Sequence, residues 1–213
     1  FDPQRRAALT AARWGWGYAL WWAQPLWRLR RAGLEHAQGG PFLIIANHQS
    51  VLDIPAVLGL PLPLRIVARP GIFRVPVLGA WMKMSRQIPV AEGDPSSVRR
   101  FAQQVEESLQ QGISVVIFPE GTRSVDGRLN EFHRGAFRLA IDLKVPVLPI
   151  ALDGTRHMLG KGKLHAQRFP TPCGMVVRPP IPPDAAPNAR QLAARARAEV
   201  ESGIREIESR GWL

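Results

Sequence analysis

Apolar positions along this chain follow two alternating rhythms. Short stretches dominated by apolar, often β-branched, side chains occur at 42–46, 64–68, 113–118, 145–152 and 175–177. Near-continuous runs of that length fit strands buried on both faces. Helical spacing governs much of what lies between. Val98, Phe101, Val105 and Leu109 recur on one helical face, with Asp94 as cap, Pro95 in the first turn and Gly112 as stop. Residues 134–143 fit another helix, and Leu192, Ala196, Val200, Ile204 and Ile207 mark the apolar face of a last one. A short helix is predicted over 53–58, where Pro55 is tolerated in the first turn and Gly59, Pro61 and Pro63 end it. The prolines at 146 and 149 predict irregular or edge pairing for the 145–152 strand. Residues 179–187 read as a stiff connector too short to divide domains. This alternation predicts one α/β domain with a mixed, mostly parallel sheet flanked by helices.

Residues 14–27 depart from both rhythms, because five of the seven tryptophans fall there, with Arg5, Arg6 and Arg13 before them and Arg28, Arg30 and Arg31 at or after their end. The run is shorter than the ~20 residues that span a bilayer, and Gln24-Pro25 interrupts it. Tryptophan prefers the headgroup layer and arginine meets lipid phosphates there, so residues 1–36 are expected to hold an amphipathic helix lying in a membrane interface. An amphipathic hairpin packed on the domain is the other reading. Residues 37–213 then form the folded domain. A formal charge of +11 and a pI near 11.3 make an anionic partner expected. A nucleic acid fits poorly, because the aromatics cluster in the apolar segment instead of interleaving with basic residues, and no nucleic-acid motif is present. The single cysteine, Cys173, permits no internal disulfide and sits between Pro172 and Gly174 without a nucleophile's setting.

Candidate chemistry begins where the 42–46 run ends, at Asn47-His48-Gln49-Ser50-Val51-Leu52-Asp53. Residues five apart lie about 140° apart around a helix axis, so His48 and Asp53 meet only if His48 sits in the strand-exit loop. Asp53 would then orient the imidazole through Nδ1 and leave Nε2 to take a proton from a hydroxyl. The same residues also suit a helix N-cap and an ordinary loop histidine. A second block, Phe118-Pro119-Glu120-Gly121-Thr122-Arg123-Ser124, follows the 113–118 run. Strand exits are where α/β sheets bind ligands, and the planar fork of Arg123 suits a phosphate while Glu120 suits a donor group. Pro-Glu-Gly-Thr is equally good turn chemistry.

Taken together, the blocks at 47–53, 71–90 with Gly79, 118–124 and 145–150 resemble the phospholipid and glycerol acyltransferase family, which includes bacterial 1-acyl-glycerol-3-phosphate acyltransferases. The resemblance covers about residues 41–154. It implies transfer of a fatty acyl group from acyl-carrier protein or coenzyme A thioester to a lysophospholipid hydroxyl, most directly 1-acyl-sn-glycerol-3-phosphate, which becomes phosphatidic acid. It implies catalytic roles for His48 and Asp53, and acceptor binding for Glu120, Gly121, Thr122, Arg123 and Gly79. The expected setting is the cytoplasmic face of the cell membrane, on an anionic surface. No Gly-x-Ser-x-Gly elbow is present, so direct transfer without an acyl-enzyme is expected. No cofactor is expected, and the histidines show no metal-ligand spacing. One departure stands out. Glu92 falls where the family commonly has a basic residue for the acceptor phosphate, which leaves Arg69, Lys83 or Arg86 to supply that charge, or a different lysolipid or aminolipid as acceptor.

Overall fold

The computed structural model describes residues 27–91, 93–160 and 170–213. Seven strands form one sheet: β1 (Trp27–Ala32), β2 (Leu43–Ala46), β3 (Leu64–Ala68), β4 (Ile88–Pro89), β5 (Ser114–Ile117), β6 (Val147–Asp153) and β7 (Thr171–Val177). Their spatial order is β1-β7-β6-β2-β5-β3-β4, and every pairing is parallel except β6 with β7. The expected mixed, mostly parallel sheet is therefore present. Helices α1 (Asp53–Leu58), α2 (Leu78–Met84), α3 (Pro95–Gln110), α4 (Gly135–Asp142), α5 (Arg156–Leu159) and α6 (Ala189–Ser209) lie in the connections and at the carboxyl end.

The central strands are buried on both faces, which is why their sequences run apolar instead of alternating with polar residues. Leu43 and Ile45 of β2 pack into a core with α3, α4 and α6, whereas Ile44 and Ala46 pack into a second core with α1 and the Leu60–Leu62–Leu64 turn. The expected Asp94 cap is present, and Asn188 adds a second that was not anticipated. The Asp94 side chain accepts from the Ser96 N–H at the start of α3, and that of Asn188 accepts from Gln191 N–H at the start of α6.

Two expectations about organisation are revised. Residues 27–37 belong to the domain. β1 pairs in parallel with β7 over its whole length, Trp27 opposite Thr171 through Ala32 opposite Val176, and Leu34–Ala37 follows as a 3-10 turn. Arg28, Arg30 and Arg31 are thus strand residues instead of the flank of an interfacial helix. The physical reason is that β7 would otherwise expose an unpaired row of backbone groups at the sheet's edge. The rest of the tryptophan-rich segment, residues 1–26, lies outside the described residues. The second revision narrows the expectation for β6 to irregular pairing, since the strand occupies the interior of the sheet between β2 and β7. Proline is accommodated because the β7 side is irregular there. The ladder with β7 starts at Ile150, an isolated bridge joins Val147 to Ile181, and the carbonyl of Pro149 between them accepts from Arg178 N–H. A missing donor at Pro149 therefore interrupts no ladder.

Candidate active site

β2, β3, β5 and β6 run in one direction, so their carboxyl ends share one edge of the sheet. The loops leaving three of them converge. His48 Nδ1 lies 2.9 Å from Asp53 Oδ2. A carboxylate only accepts, so that ring nitrogen carries the hydrogen, and in the neutral ring Nε2 keeps its lone pair. Nε2 has no hydrogen-bond partner among the described residues, and the His48 side chain is 17% exposed against 0% for Asp53. The ring stacks on Phe118 at 4.1 Å between centroids, which fixes its plane.

Asp53 is the first residue of α1 and makes no N-cap bond to it, so the plain capping reading does not hold. Its Oδ2 also accepts from the backbone N–H groups of Gln49 at 2.7 Å and Ser50 at 2.8 Å, folding the loop back onto the carboxylate. Its Oδ1 accepts from Thr155 Oγ1 at 2.6 Å, across from the exit of β6. These donors satisfy the oxygens of a fully buried carboxylate, which would otherwise be costly to desolvate. Asn47 fastens the root of the loop by pairing its amide with both backbone groups of Leu152, each at 2.8 Å.

Glu120 joins the second block to the first. Its Oε1 accepts from the backbone N–H of His48 at 2.7 Å and its Oε2 from that of Asn130 at 3.0 Å, while the Ser124 N–H donates to the carbonyl of His48 at 2.7 Å. Burial pushes the Glu120 carboxyl above its ordinary range, and the bonds from His48 and Asn130 oppose that shift. Gly121 adopts φ of 66°, a left-handed conformation that favours glycine, and its carbonyl accepts from Arg69 Nη2 at 2.7 Å. Thr122 is exposed in the same turn and Arg123 is half-buried, with no hydrogen-bond or ion-pair partner for its guanidinium among the described residues. Gly79 lies elsewhere. It is buried at the start of α2, where an added Cβ would run into the backbone of Phe73. Its position is one of close packing between α2 and the Pro70–Arg74 turn.

Of the three cations considered for the acceptor phosphate, Arg69 is the one bonded to the 118–124 loop, and Glu92 lies outside the described residues. Cys173 is buried, its thiol pushed up to about 12 by burial and then by Asp53 and Asp153, which suits no nucleophile. Thr155, Asn47 and the Gln49–Asp153–Arg156 chain, at 3.1 Å per link, were not anticipated. A signal existed for Thr155: Asp153-Gly154-Thr155 is a polar exit from a buried strand, like the two blocks that drew attention.

A family model described as Acyltransferase matches residues 28–153. The chain belongs to the acyltransferase family. The match begins in β1, earlier than the resemblance at 41–154 implied. Among its relatives, this acyltransferase-family chain is 37% identical to a chloroplastic 1-acyl-sn-glycerol-3-phosphate acyltransferase of Arabidopsis thaliana, over 76% of the chain and 46% of that protein. It is 33% identical to a 1-acyl-sn-glycerol-3-phosphate acyltransferase of Chlamydomonas reinhardtii, over 96% of the chain and 60% of that protein. A bacterial protein of the same description, from Pseudomonas aeruginosa, is 30% identical over 89% of the chain and 75% of its own length. The chain spans about half the length of the plant and algal relatives. The crystal structure of the 1-acyl-sn-glycerophosphate acyltransferase PlsC from Thermotoga maritima superposes with a TM-score of 0.79 at 25% identity, covering 94% of this chain and 79% of that one.

Proposed function

We propose that this protein transfers a fatty acyl group from a thioester, acyl-carrier protein or coenzyme A, to the free hydroxyl of a lysophospholipid, 1-acyl-sn-glycerol-3-phosphate being the acceptor best supported. The observation that carries this reading is the His48–Asp53 pair, closed at 2.9 Å at the edge of the sheet where ligands bind, in a chain of this family. The acceptor oxygen attacks the thioester carbonyl carbon as its proton passes to Nε2 of His48. Asp53 holds the ring and stabilises the imidazolium that forms. Collapse of the tetrahedral intermediate breaks the C–S bond, and the departing sulfur takes the proton back from the imidazolium. The thioester brings its own leaving group, so the scheme calls on no cofactor and no acyl-enzyme.

Acceptor choice rests on Arg123 in the 118–124 loop and on Arg69, which reaches the same loop from the end of β3; their two guanidiniums suit a phosphomonoester. Glu120 and Gly121 act in this scheme by shaping that loop against His48, and Thr122 lies within it. We assign the protein to an anionic membrane surface at the cytoplasmic face. Among the described residues no helix is long and apolar enough to cross a membrane.

The deciding experiment is acyl transfer from labelled acyl-carrier protein and acyl-CoA to a panel of lysolipids in anionic vesicles. Transfer to 1-acyl-sn-glycerol-3-phosphate is expected, with His48→Ala lowering it by about 10²–10⁴-fold. Transfer to another lysolipid alone would remove the phosphatidate assignment. Equal turnover by His48→Ala and the parent would remove the base.

A further inference from the structure

Seven large apolar side chains are exposed among the described residues, and five of them, Val51, Val75, Val77, Met84 and Val125, lie in the connections that follow β2, β3 and β5. Those strands are mutually parallel, so these connections leave the edge of the sheet that carries His48. The densest part follows β3. Val77, Ala80 and Met84 recur at i, i+3 and i+7 on and just before α2, all exposed, while Trp81 between them is half-buried and packs against the core. Val77 is 86% exposed and Met84 54%, while Met82 and Gly79 of the same helix are buried.

Charge around this stripe has one sign. Arg69, Arg74, Lys83 and Arg86 are all exposed, and the sequence contains no Asp or Glu from Arg69 to Val90. Val77 is also held at φ 63°, ψ −59°, a conformation that a β-branched residue adopts only under strain and that leaves its side chain in solvent. A buried face would not carry the exposed cations Arg74, Lys83 and Arg86, and a merely solvated one would not carry this apolar stripe.

We propose that this rim is the face the protein lays on an anionic lipid surface, with Val75, Val77 and Met84 entering the headgroup boundary and Arg74, Lys83 and Arg86 on the phosphates. The contact is distinct from residues 1–26. Its purpose rests on the proposed acyl transfer, since it brings the His48 edge to the layer in which a lysophospholipid resides. Its test does not rest on turnover. Cys173 is buried, so a Val77→Cys variant of the full chain offers one accessible thiol for a polarity-sensitive fluorophore, with Glu208→Cys on α6 as a control on the other side of the sheet.

On vesicles of phosphatidylglycerol and phosphatidylcholine, emission from position 77 is expected to shift to the blue while that from 208 stays fixed. Arg74→Glu with Lys83→Glu is expected to weaken the vesicle affinity by roughly tenfold or more. Unchanged emission from vesicles that demonstrably carry the protein overturns the proposal, because docking would then run through another face. Blue emission already present without vesicles overturns it in favour of a cover from the chain itself or a second copy. A shift with acyl-carrier protein and none with vesicles overturns it in favour of a protein dock. His48→Ala should give the same shift as the parent, so a protein that docks and never transfers acyl groups would sink the proposed reaction alone.

Discussion

Thr155 supplies the only side-chain hydroxyl among the described residues that the Asp53 carboxylate accepts from, at 2.6 Å in a fully buried position. Replacing it with valine keeps the shape and leaves Oδ1 without that donor, which costs about 1–3 kcal/mol. Because Thr155 touches no reacting atom in the proposed scheme, Thr155→Val is expected to lower kcat with little change in KM, and Thr155→Ser to restore most of it. Steady-state kinetics beside chemical denaturation separate the two effects; lost stability with an unchanged kcat would reduce Thr155 to packing. Glu120 allows a second test, on pH. Its two oxygens accept from two N–H groups, so glutamine must point its own amide donor at one of them, and Glu120→Gln is expected to destabilise the fold by ~1–3 kcal/mol. The folded carboxyl has its pKa raised by burial, so between the unfolded and folded values the native state binds the proton more tightly. Stability from this group therefore falls as pH rises through that window and is constant above it. The gap in unfolding free energy between parent and Glu120→Gln should narrow with rising pH across that window. A gap that widens there would contradict the direction of the shift.

At the scale of elements, the C-terminal helix shows how closely a layer rides on the sheet. Gly203 of α6 lies over Ala151 of β6, and an added Cβ would stand 2.5 Å from the Ala151 Cβ. Alanine would gain about 1 kcal/mol of helix propensity. Against that, the contact is to the short side chain of an interior strand, which has no room to yield, and overpacking costs ~1–3 kcal/mol. Overpacking is expected to win, so Gly203→Ala should lower the midpoint of denaturation; a raised midpoint would mean that the helix can slide outward. Elements of this kind were legible in the sequence because caps and periodicity are local. Asp94 caps α3 with its own side chain, and the apolar spacing on α3 and α6 lies on their inward faces, with Val98 the exposed exception. Irregular or edge pairing was expected of the 145–152 strand, and the irregular alternative is the one found, the edge one failing for a nonlocal reason. A proline says that one N–H is missing, but only the neighbouring strand determines whether a ladder bond was needed there, and β7 leaves a gap opposite Pro149.

The whole molecule carries +11, and on the proposed reading that excess would draw it to an anionic surface as much as any one side chain. Binding to phosphatidylglycerol vesicles should thus weaken steeply as salt rises from about 0.1 M to about 1 M, where the Debye length shrinks from ~10 Å to ~3 Å. Flotation at several salt concentrations measures it, and salt-insensitive binding would assign association to apolar insertion alone. What the sequence by itself determined was local: which stretches become strands and helices, that two strand exits carry His48 with Asp53 and Glu120 with Arg123, and that the chain is strongly basic. Asp53 lies five positions after His48, a span short enough for one loop to close. Only the tertiary structure decided that Glu120, 72 residues on, holds the backbone of His48, and that Thr155, 102 residues from Asp53, completes its carboxylate. Those contacts exist because β2 lies between β5 and β6, and strand order is a property of how the whole sheet buries its two faces, which no local pattern of residues encodes.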